Sequence, residues 1–138
     1  MTDIPAPLRR LVRKRAGGYC EYCGADRRIL VIMSVDHIRP RSRGGETDED
    51  NLCLSCLACN GSKLNRETAI DPDTGERVSL FHPRQQRWSD HFQWKNDYTE
   101  IAGLTTTGRA TIVCLDMNRP AVTAARRIWR RGGWRPPE

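Results

Sequence analysis

The first hydrophobic pattern in the chain has helical spacing. Leu8, Leu11 and Val12 stand at positions i, i+3 and i+4, with basic residues on the other face of the same segment. This pattern predicts an amphipathic helix over residues 6–16. The glycine pair at residues 17 and 18 is expected to end it, because glycine is a poor helix former.

Two apolar stretches in the middle of the chain predict strands. Residues 29–35 form a continuous apolar run between polar residues, which is typical of a short buried strand, and residues 52–54 predict a second one. Residues 39–51 contain proline, serine and paired glycine and predict a loop. We expect Asn60 to open a helix over residues 60–69.

The remaining residues predict an extension of hairpins and helices. Residues 71–76 predict a turn, and residues 91–104 predict a hairpin around Asn96 and Asp97. Two helices are expected at residues 108–117 and 120–131. Four tryptophans are expected to pack this extension onto the rest of the chain: Trp88, Trp94, Trp129 and Trp134. The predicted organisation is a basic N-terminal helix (1–19), a core (20–70) and the extension (71–138).

Composition narrows the possible partners and the compartment. The formal net charge is +6 and the pI is about 9.3, which favours a polyanionic partner, above all nucleic acid. No apolar run has the length of a membrane span, and the N-terminus has no apolar signal segment, so we expect a cytoplasmic protein without a membrane partner. Thiols stay reduced in that compartment, which favours metal ligation over disulfides for the six cysteines.

Four of the cysteines form two CxxC pairs. Cys20 and Cys23 are separated by 32 residues from Cys56 and Cys59. Each CxxC turn presents two thiolates, and two such turns supply the four soft ligands of a closed, structural Zn²⁺ site. Such a site contributes roughly 10–16 kcal/mol of apparent binding free energy, enough to staple a chain that is only 38% hydrophobic.

Other residues offer competing ligand assignments. Cys53 also precedes Cys56 by three residues, so Cys53 and Cys56 are an alternative second pair. We favour Cys59, because Cys53 alternates with leucines as a strand residue does and because Asn60 is expected to open the helix directly after Cys59. Cys114 lies in an apolar segment and is expected to belong to the core. His82 and His91 are expected to be ordinary polar residues rather than metal ligands.

The segment between the CxxC turns carries a candidate catalytic set. Asp36 and His37 end the first predicted strand, Asn51 precedes the second, and Asn60 follows the second CxxC turn. Carboxylate and amide oxygens suit Mg²⁺ or Mn²⁺, and histidine has the pKa best placed to activate water near neutral pH. A divalent ion beside such a base is a plausible site for phosphodiester hydrolysis.

These motifs together resemble the HNH nuclease family. The likeness rests on CxxC, VDHIRPRSRGG, DNL and CxxCN followed by Lys63, over residues 20 to about 66. The resemblance implies an α+β fold with a ββα-metal core, here held by a four-cysteine zinc site. It also implies a metal-dependent endonuclease that leaves 5′-phosphate and 3′-hydroxyl ends, in a small bacterial or phage subgroup.

The resemblance also implies individual roles. His37 matches the general base, Asp36 and Asn60 match the ligands of one catalytic Mg²⁺ or Mn²⁺, and Asn51 matches a residue that holds the loop. The third motif position is Asn60, where many relatives carry histidine, and either side chain can ligate a metal. Four basic residues beside this core are expected to contact phosphates: Arg39, Arg41, Arg43 and Lys63.

Two other functions fit parts of the sequence. A zinc-stabilised module that binds nucleic acid without cleaving it needs no metal ligands beside a base, so Asp36, His37 and Asn60 favour the nuclease. A zinc-dependent protein-interaction module is disfavoured by the net charge and by the basic stretches at both ends of the chain. The sequence does not indicate whether the substrate is DNA or RNA or whether cleavage nicks one strand or cuts both. It also leaves open whether the protein is a monomer or a homodimer.

Overall fold

The N-terminal helix and the central hairpin form the first packed layer. The structure is a computed structural model that describes residues 4–29 and 32–137. Helix α1 spans Ala6–Ala16, as predicted, and ends at Gly17, which adopts a left-handed conformation with φ 64°. Val12 of α1 is fully buried against Val35 and two leucines of the hairpin, so the amphipathic face drives this packing.

The central unit is a β-hairpin followed by a helix. Strand β1 (Met33–His37) pairs antiparallel with β2 (Leu52–Cys56), and His37 lies opposite Leu52. Helix α2 (Leu57–Lys63) follows β2 without a loop and packs against both strands. This is the predicted ββα arrangement. Because side chains alternate along a strand, Asp36 and His37 point to opposite faces of the hairpin.

The boundaries of two predicted elements were wrong. Residues 27–29 form a 3₁₀ turn and β1 begins only at Met33, while residues 30 and 31 of the predicted strand lie outside the described residues. Helix α2 begins at Leu57 rather than at Asn60, because the Cys56 sulfur accepts the Cys59 backbone N–H at 3.4 Å and caps the helix. It ends at Lys63, and Leu64 takes a positive φ of 53°.

The extension begins with a small hairpin beside α2. Strands β3 (Thr68–Ile70) and β4 (Arg77–Ser79) pair antiparallel across the predicted turn at residues 71–76. Asp71, fully buried, receives two hydrogen bonds of 2.9 Å from Arg109 of α4 (Thr106–Leu115). The hairpin is therefore tied to the helix that packs against α2.

The rest of the extension follows the predicted order. A short helix, α3 (Trp88–His91), leads into the hairpin of β5 (Phe92–Lys95) and β6 (Glu100–Gly103). The predicted turn residues Asn96 and Asp97 both have positive φ values. The final helix, α5, spans Pro120–Arg131, and the predicted pair of C-terminal helices is confirmed.

The tryptophans join the extension to the residues around the first CxxC turn. The rings of Trp88 and Trp94 stack with centroids 5.6 Å apart, and Trp134 meets both Trp94 and Trp129 edge-on. The Trp88 indole N–H donates to the carbonyl oxygen of Tyr22 at 2.8 Å. This indole cluster fixes the extension beside the cysteines. In the described part of the chain, no helix is long and apolar enough to cross a membrane.

Candidate metal centre and catalytic loop

Four cysteine sulfurs converge at one end of the ββα unit. The Sγ atoms all lie within 4.8 Å of one another, and all four side chains are buried: Cys20, Cys23, Cys56 and Cys59. Two of these residues come from the turn after α1, and the other two come from the junction of β2 and α2. The predicted second pair, Cys56 and Cys59, is therefore the one in the cluster.

The cluster has the dimensions of a tetrahedral thiolate site. A zinc–sulfur distance of about 2.3 Å places neighbouring sulfurs about 3.8 Å apart in a tetrahedron. The Cys23 and Cys56 sulfurs are 3.7 Å apart, whereas a disulfide requires about 2.05 Å. Backbone N–H groups of Cys23 and Cys59 donate to the sulfurs of Cys20 and Cys56 at 3.5 and 3.4 Å. The donor set is consistent with a zinc site.

Burial and mutual hydrogen bonding give the four thiols unequal acidities. Desolvation raises the pKa of Cys20 well above its usual value. Hydrogen bonds from Cys20, Cys23 and Cys59 lower the pKa of Cys56 instead. A hydrogen bond with Cys20 also lowers the pKa of Cys23. Ligation by four thiolates requires a metal ion to stabilise their negative charges.

The other candidate ligands lie elsewhere. Cys53 faces the Tyr22 hydroxyl, 3.8 Å from its Sγ, and burial raises its pKa to about 12. Cys114 packs at the edge of the core, as expected. His91 shares a 2.7 Å hydrogen bond with Thr105, and His82 accepts backbone N–H groups of its own turn. Within residues 4–29 and 32–137, the only group of three or more His, Cys, Asp or Glu side chains that could share one ion is the four-cysteine cluster.

His37 lies at the opposite end of β1 from this cluster, half-buried. Its Nε2 is 2.8 Å from the hydroxyl of Thr47 in the loop between β1 and β2. Among the described residues, Nδ1 of the ring has no hydrogen-bond partner. An N–H at Nε2 would leave the Nδ1 lone pair free to accept a proton from a water molecule. Thr47 was missed by the sequence analysis, because nothing in its local sequence indicates this contact.

The surroundings of His37 keep its ring neutral. Burial lowers the pKa of His37, the positive charge of Arg41 lowers it further, and the Asp36 carboxylate opposes both. Since the usual value is about 6.5, the imidazole is in its basic form near pH 7. A neutral ring with one free nitrogen is the form that a general base requires.

Asp36 is held by two serines on the other face of the hairpin. Its Oδ2 accepts a 2.6 Å hydrogen bond from Ser34 and a second one from the hydroxyl of Ser55. Ser34 and Ser55 lie opposite each other in the β1–β2 register, two pairs along from Asp36 and therefore on the same face of the hairpin. The second carboxylate oxygen, Oδ1, accepts no hydrogen bond from the described residues. This leaves one oriented oxygen available to a metal ion.

Asn51 closes the loop between the strands. Its Oδ1 accepts the Arg39 N–H at 2.8 Å, and its Nδ2 donates to the carbonyl oxygens of Glu46 at 2.8 Å and Arg39 at 3.1 Å. One side chain thus joins both ends of the segment 39–46, which follows His37 directly. Gly45 permits this closure, because a Cβ there would lie 1.8 Å from the Arg39 carbonyl oxygen.

Asn60 lies in the middle of α2 rather than at its start. Its side chain is half-buried, and no other described residue forms a hydrogen bond with its amide. It makes no direct hydrogen bond with Asp36 or His37. The structure therefore brings Asp36, His37 and Asn51 together around one strand end, and it places Asn60 on the helix that packs across that strand.

The basic residues expected to contact phosphates divide into two groups. Arg39, Arg41 and Arg43 are exposed on the loop after β1. Lys63 is only 5% exposed, and its ammonium donates to the carbonyl oxygen of Ile38 at 2.8 Å. Burial lowers the pKa of Lys63. The expected phosphate contact by Lys63 is therefore corrected: this lysine fixes the backbone immediately after His37.

Comparison with known proteins supports the domain assignment. Residues 20–66 match the model of the HNH endonuclease family. The Septu protein PtuB of Bacillus mycoides (strain KBAB4) is 25% identical over 114 residues, covering 64% of this chain and 39% of that protein. The chain thus spans well under half of this relative's length. No solved structure was found to match.

The matched segment coincides with the geometry described above. It begins at the first cysteine of the cluster and ends just beyond α2, so it contains the hairpin, the loop closed by Asn51 and all four clustered cysteines. Residues 20–66 of this chain therefore form a domain of the HNH endonuclease family.

Proposed function

We propose that this protein is a metal-dependent endonuclease that hydrolyses phosphodiester bonds in DNA and leaves 5′-phosphate and 3′-hydroxyl ends. The observation that carries the proposal is the pair at the end of β1. His37 has an anchored, neutral ring with a free Nδ1, and Asp36 has an anchored carboxylate with a free Oδ1. The net charge of +6 favours a polyanionic substrate.

His37 acts as the general base. Its Nδ1 accepts a proton from the attacking water while Nε2–H donates to Thr47, so the ring keeps its orientation as it becomes positively charged. The nearby Asp36 carboxylate stabilises that charge, since it already raises the pKa of the ring. Asn51 positions the loop that carries Thr47.

Asp36 and Asn60 would hold the catalytic Mg²⁺ or Mn²⁺. Both offer hard oxygen donors that form no hydrogen bond within the described chain, which fits either cation. When bound, the cation supplies positive charge to the scissile phosphate and to the leaving 3′ oxygen. Ser34 and Ser55 hold Asp36 in place for this role through their hydrogen bonds to its other oxygen.

The four-cysteine cluster would hold one structural Zn²⁺. It leaves no open position for substrate, because all four ligands come from the protein. The side chains of Arg39, Arg41 and Arg43 are exposed, and we expect them to contact phosphates near the cleaved bond. A monomer with one such site would nick one strand per binding event.

Cleavage of supercoiled plasmid by the zinc-loaded protein tests this proposal. With Mg²⁺ or Mn²⁺ we expect nicked or linear products, and His37→Ala should reduce the rate by roughly 10²–10⁴-fold. His91→Gln is the matched control, because the His91 ring forms a hydrogen bond with Thr105 and packs beside Phe81, both in the extension. Ligation of the nicks without prior phosphatase or kinase treatment would verify the end chemistry.

Two results would contradict different parts of this proposal. Equal rates for the wild type and His37→Ala would remove His37 as the base. No cleavage by folded, zinc-loaded protein, together with retained DNA binding, would favour a zinc-stabilised binding module over a nuclease.

A further inference from the structure

A cleft lined by arginines lies beside the candidate active site, where the HNH domain meets the extension. Three arginines border this cavity of about 520 Å³, and each comes from a different segment: Arg43, Arg66 and Arg77. Arg43 lies on the loop between β1 and β2, Arg66 follows α2, and Arg77 begins β4. We refer to this surface as the arginine cleft.

The positive charge of the arginine cleft is poorly compensated. Glu67 is its only acidic lining residue, and Glu67 already pairs with Arg39 at 3.1 Å and more distantly with Arg43. Arg66 and Arg77 are exposed, and neither pairs with a carboxylate of the described chain. Two guanidinium groups that share a concave surface without acidic partners indicate an anionic ligand.

Weak contacts to the protein orient both arginines without using all their donors. Arg66 Nη1 lies 3.5 Å from the Ser62 carbonyl oxygen and 3.8 Å from the sulfur of Cys114. Arg77 Nη1 donates to the Thr68 hydroxyl at 3.2 Å. Because a guanidinium carries five N–H groups, each arginine keeps donors for a phosphate.

The floor of the cleft is apolar. Three apolar residues line it: Ala69, Ile70 and Val113. Ile70 is 42% exposed and Val113 is 59% exposed. Apolar surface beside guanidinium groups suits a sugar–phosphate backbone, which presents charged phosphates and nonpolar sugar faces together. A small inorganic anion would leave this apolar floor uncovered.

The position of the cleft relates it to the proposed chemistry. Arg43 shares its loop with Asn51 and Thr47, and its Nε donates to the Asn65 carbonyl oxygen at 2.7 Å, which links that loop to the segment after α2. Arg66 lies six residues beyond Asn60. We propose that the arginine cleft binds backbone phosphates of DNA adjacent to the cleaved bond. This inference rests on the proposed function and gives the β3–β4 hairpin of the extension a role in substrate binding.

Salt dependence of binding tests the cleft. Duplex DNA affinity is measured by fluorescence anisotropy over a range of salt concentrations, in full-length His37→Ala protein so that cleavage does not interfere. Each phosphate contact contributes about 0.9 to the slope of log K against log salt. Arg66→Gln with Arg77→Gln should therefore reduce the magnitude of the slope by about 1.8.

A charge-matched control separates local contact from overall charge. Arg127→Gln with Arg131→Gln removes the same two charges from the exposed face of α5, which packs at the opposite end of α2 beside Leu57 and Ala58. The control should keep the parental slope. Equal slopes in the cleft variant and its parent, or equal losses in both variants, would overturn the proposal. Thermal melts establish that each variant is folded.

Cys114 offers a second measurement that needs no arginine variant. It lines the cleft, whereas the four clustered cysteines and Cys53 are buried. Saturating duplex DNA should slow alkylation of Cys114 by N-ethylmaleimide, quantified by mass spectrometry. An unchanged rate with bound DNA would place the DNA elsewhere. Plasmid cleavage by wild-type protein is scored separately, so a bound but uncleaved duplex would contradict the proposed function and leave the cleft intact.

Discussion

The hydrogen bonds of Asn51 allow the effect of loop closure on the cleavage rate to be predicted quantitatively. Its side chain forms three hydrogen bonds with backbone groups of Arg39 and Glu46, all partly solvent-exposed. Such bonds contribute about 0.5–1 kcal/mol each, so Asn51→Ala should cost the closed loop about 1.5–3 kcal/mol. A factor of ten corresponds to about 1.4 kcal/mol, so we expect single-turnover cleavage to slow roughly 10- to 150-fold.

Asn51→Asp tests the same reasoning with almost unchanged volume. The carboxylate keeps the bond from the Arg39 N–H, but it faces the carbonyl oxygens of Arg39 and Glu46, where the amide had donated. Two attractive contacts become repulsive. The aspartate variant should therefore be at least as slow as the alanine variant, although it preserves more atoms.

The assay is single-turnover cleavage of plasmid with enzyme in excess, beside thermal melts and zinc content. The loop segment is exposed and distant from the cysteine cluster, so we expect the melting temperature and the bound zinc to stay close to wild type. Asp50→Ala is the control, because the exposed side chain of Asp50 bonds no other described residue. A change of less than threefold for both Asn51 variants, or a rate loss that tracks unfolding, would refute the role of loop closure.

Three further predictions concern His37 and the cysteine cluster. Thr47→Val should slow cleavage by loosening the His37 ring, while Thr47→Ser restores it; equal rates for valine and serine would exclude this contact. The cleavage rate should rise with pH to a plateau, and its midpoint should lie below the usual histidine pKa of about 6.5, because burial lowers the pKa of His37. A midpoint above pH 7 would contradict the proposal that His37 is neutral before it acts as the base. Elemental analysis should find one zinc ion per chain, and removal of that zinc should abolish the cooperative thermal transition. An unchanged thermal melt after zinc removal would exclude a structural role for the ion.

The features predicted correctly from the sequence are those with local signals. The two CxxC turns identify the cysteine cluster because close spacing and thiol chemistry together specify a metal site. The hairpin and the helix after it follow from apolar runs separated by a polar loop. These signals also agree with the match of residues 20–66 to the HNH endonuclease family.

The errors arose where a side chain has a partner that its own sequence position does not indicate. Helix α2 was placed three residues too late because its cap is the sulfur of Cys56, and cysteine is not among the side chains usually expected to cap a helix. Lys63 was expected to contact a phosphate, but it is buried, and a buried lysine requires a partner within the protein. Its partner is the backbone of Ile38, 25 residues earlier. The arginine cleft was missed because four separate segments of the chain line it.

The two ends of α2 explain why a structural cluster and a catalytic strand share so short a domain. Cys56 is at once the last residue of β2, the cap of α2 and a member of the cluster, so the direction of the helix is set where the four sulfurs meet. At its other end, Lys63 holds the carbonyl oxygen of Ile38, the residue after His37. Asn60 lies between these two attachments. Loss of the cluster should therefore displace the proposed metal ligand and the proposed base relative to each other, because it removes one of the two attachments at the ends of the helix that links them.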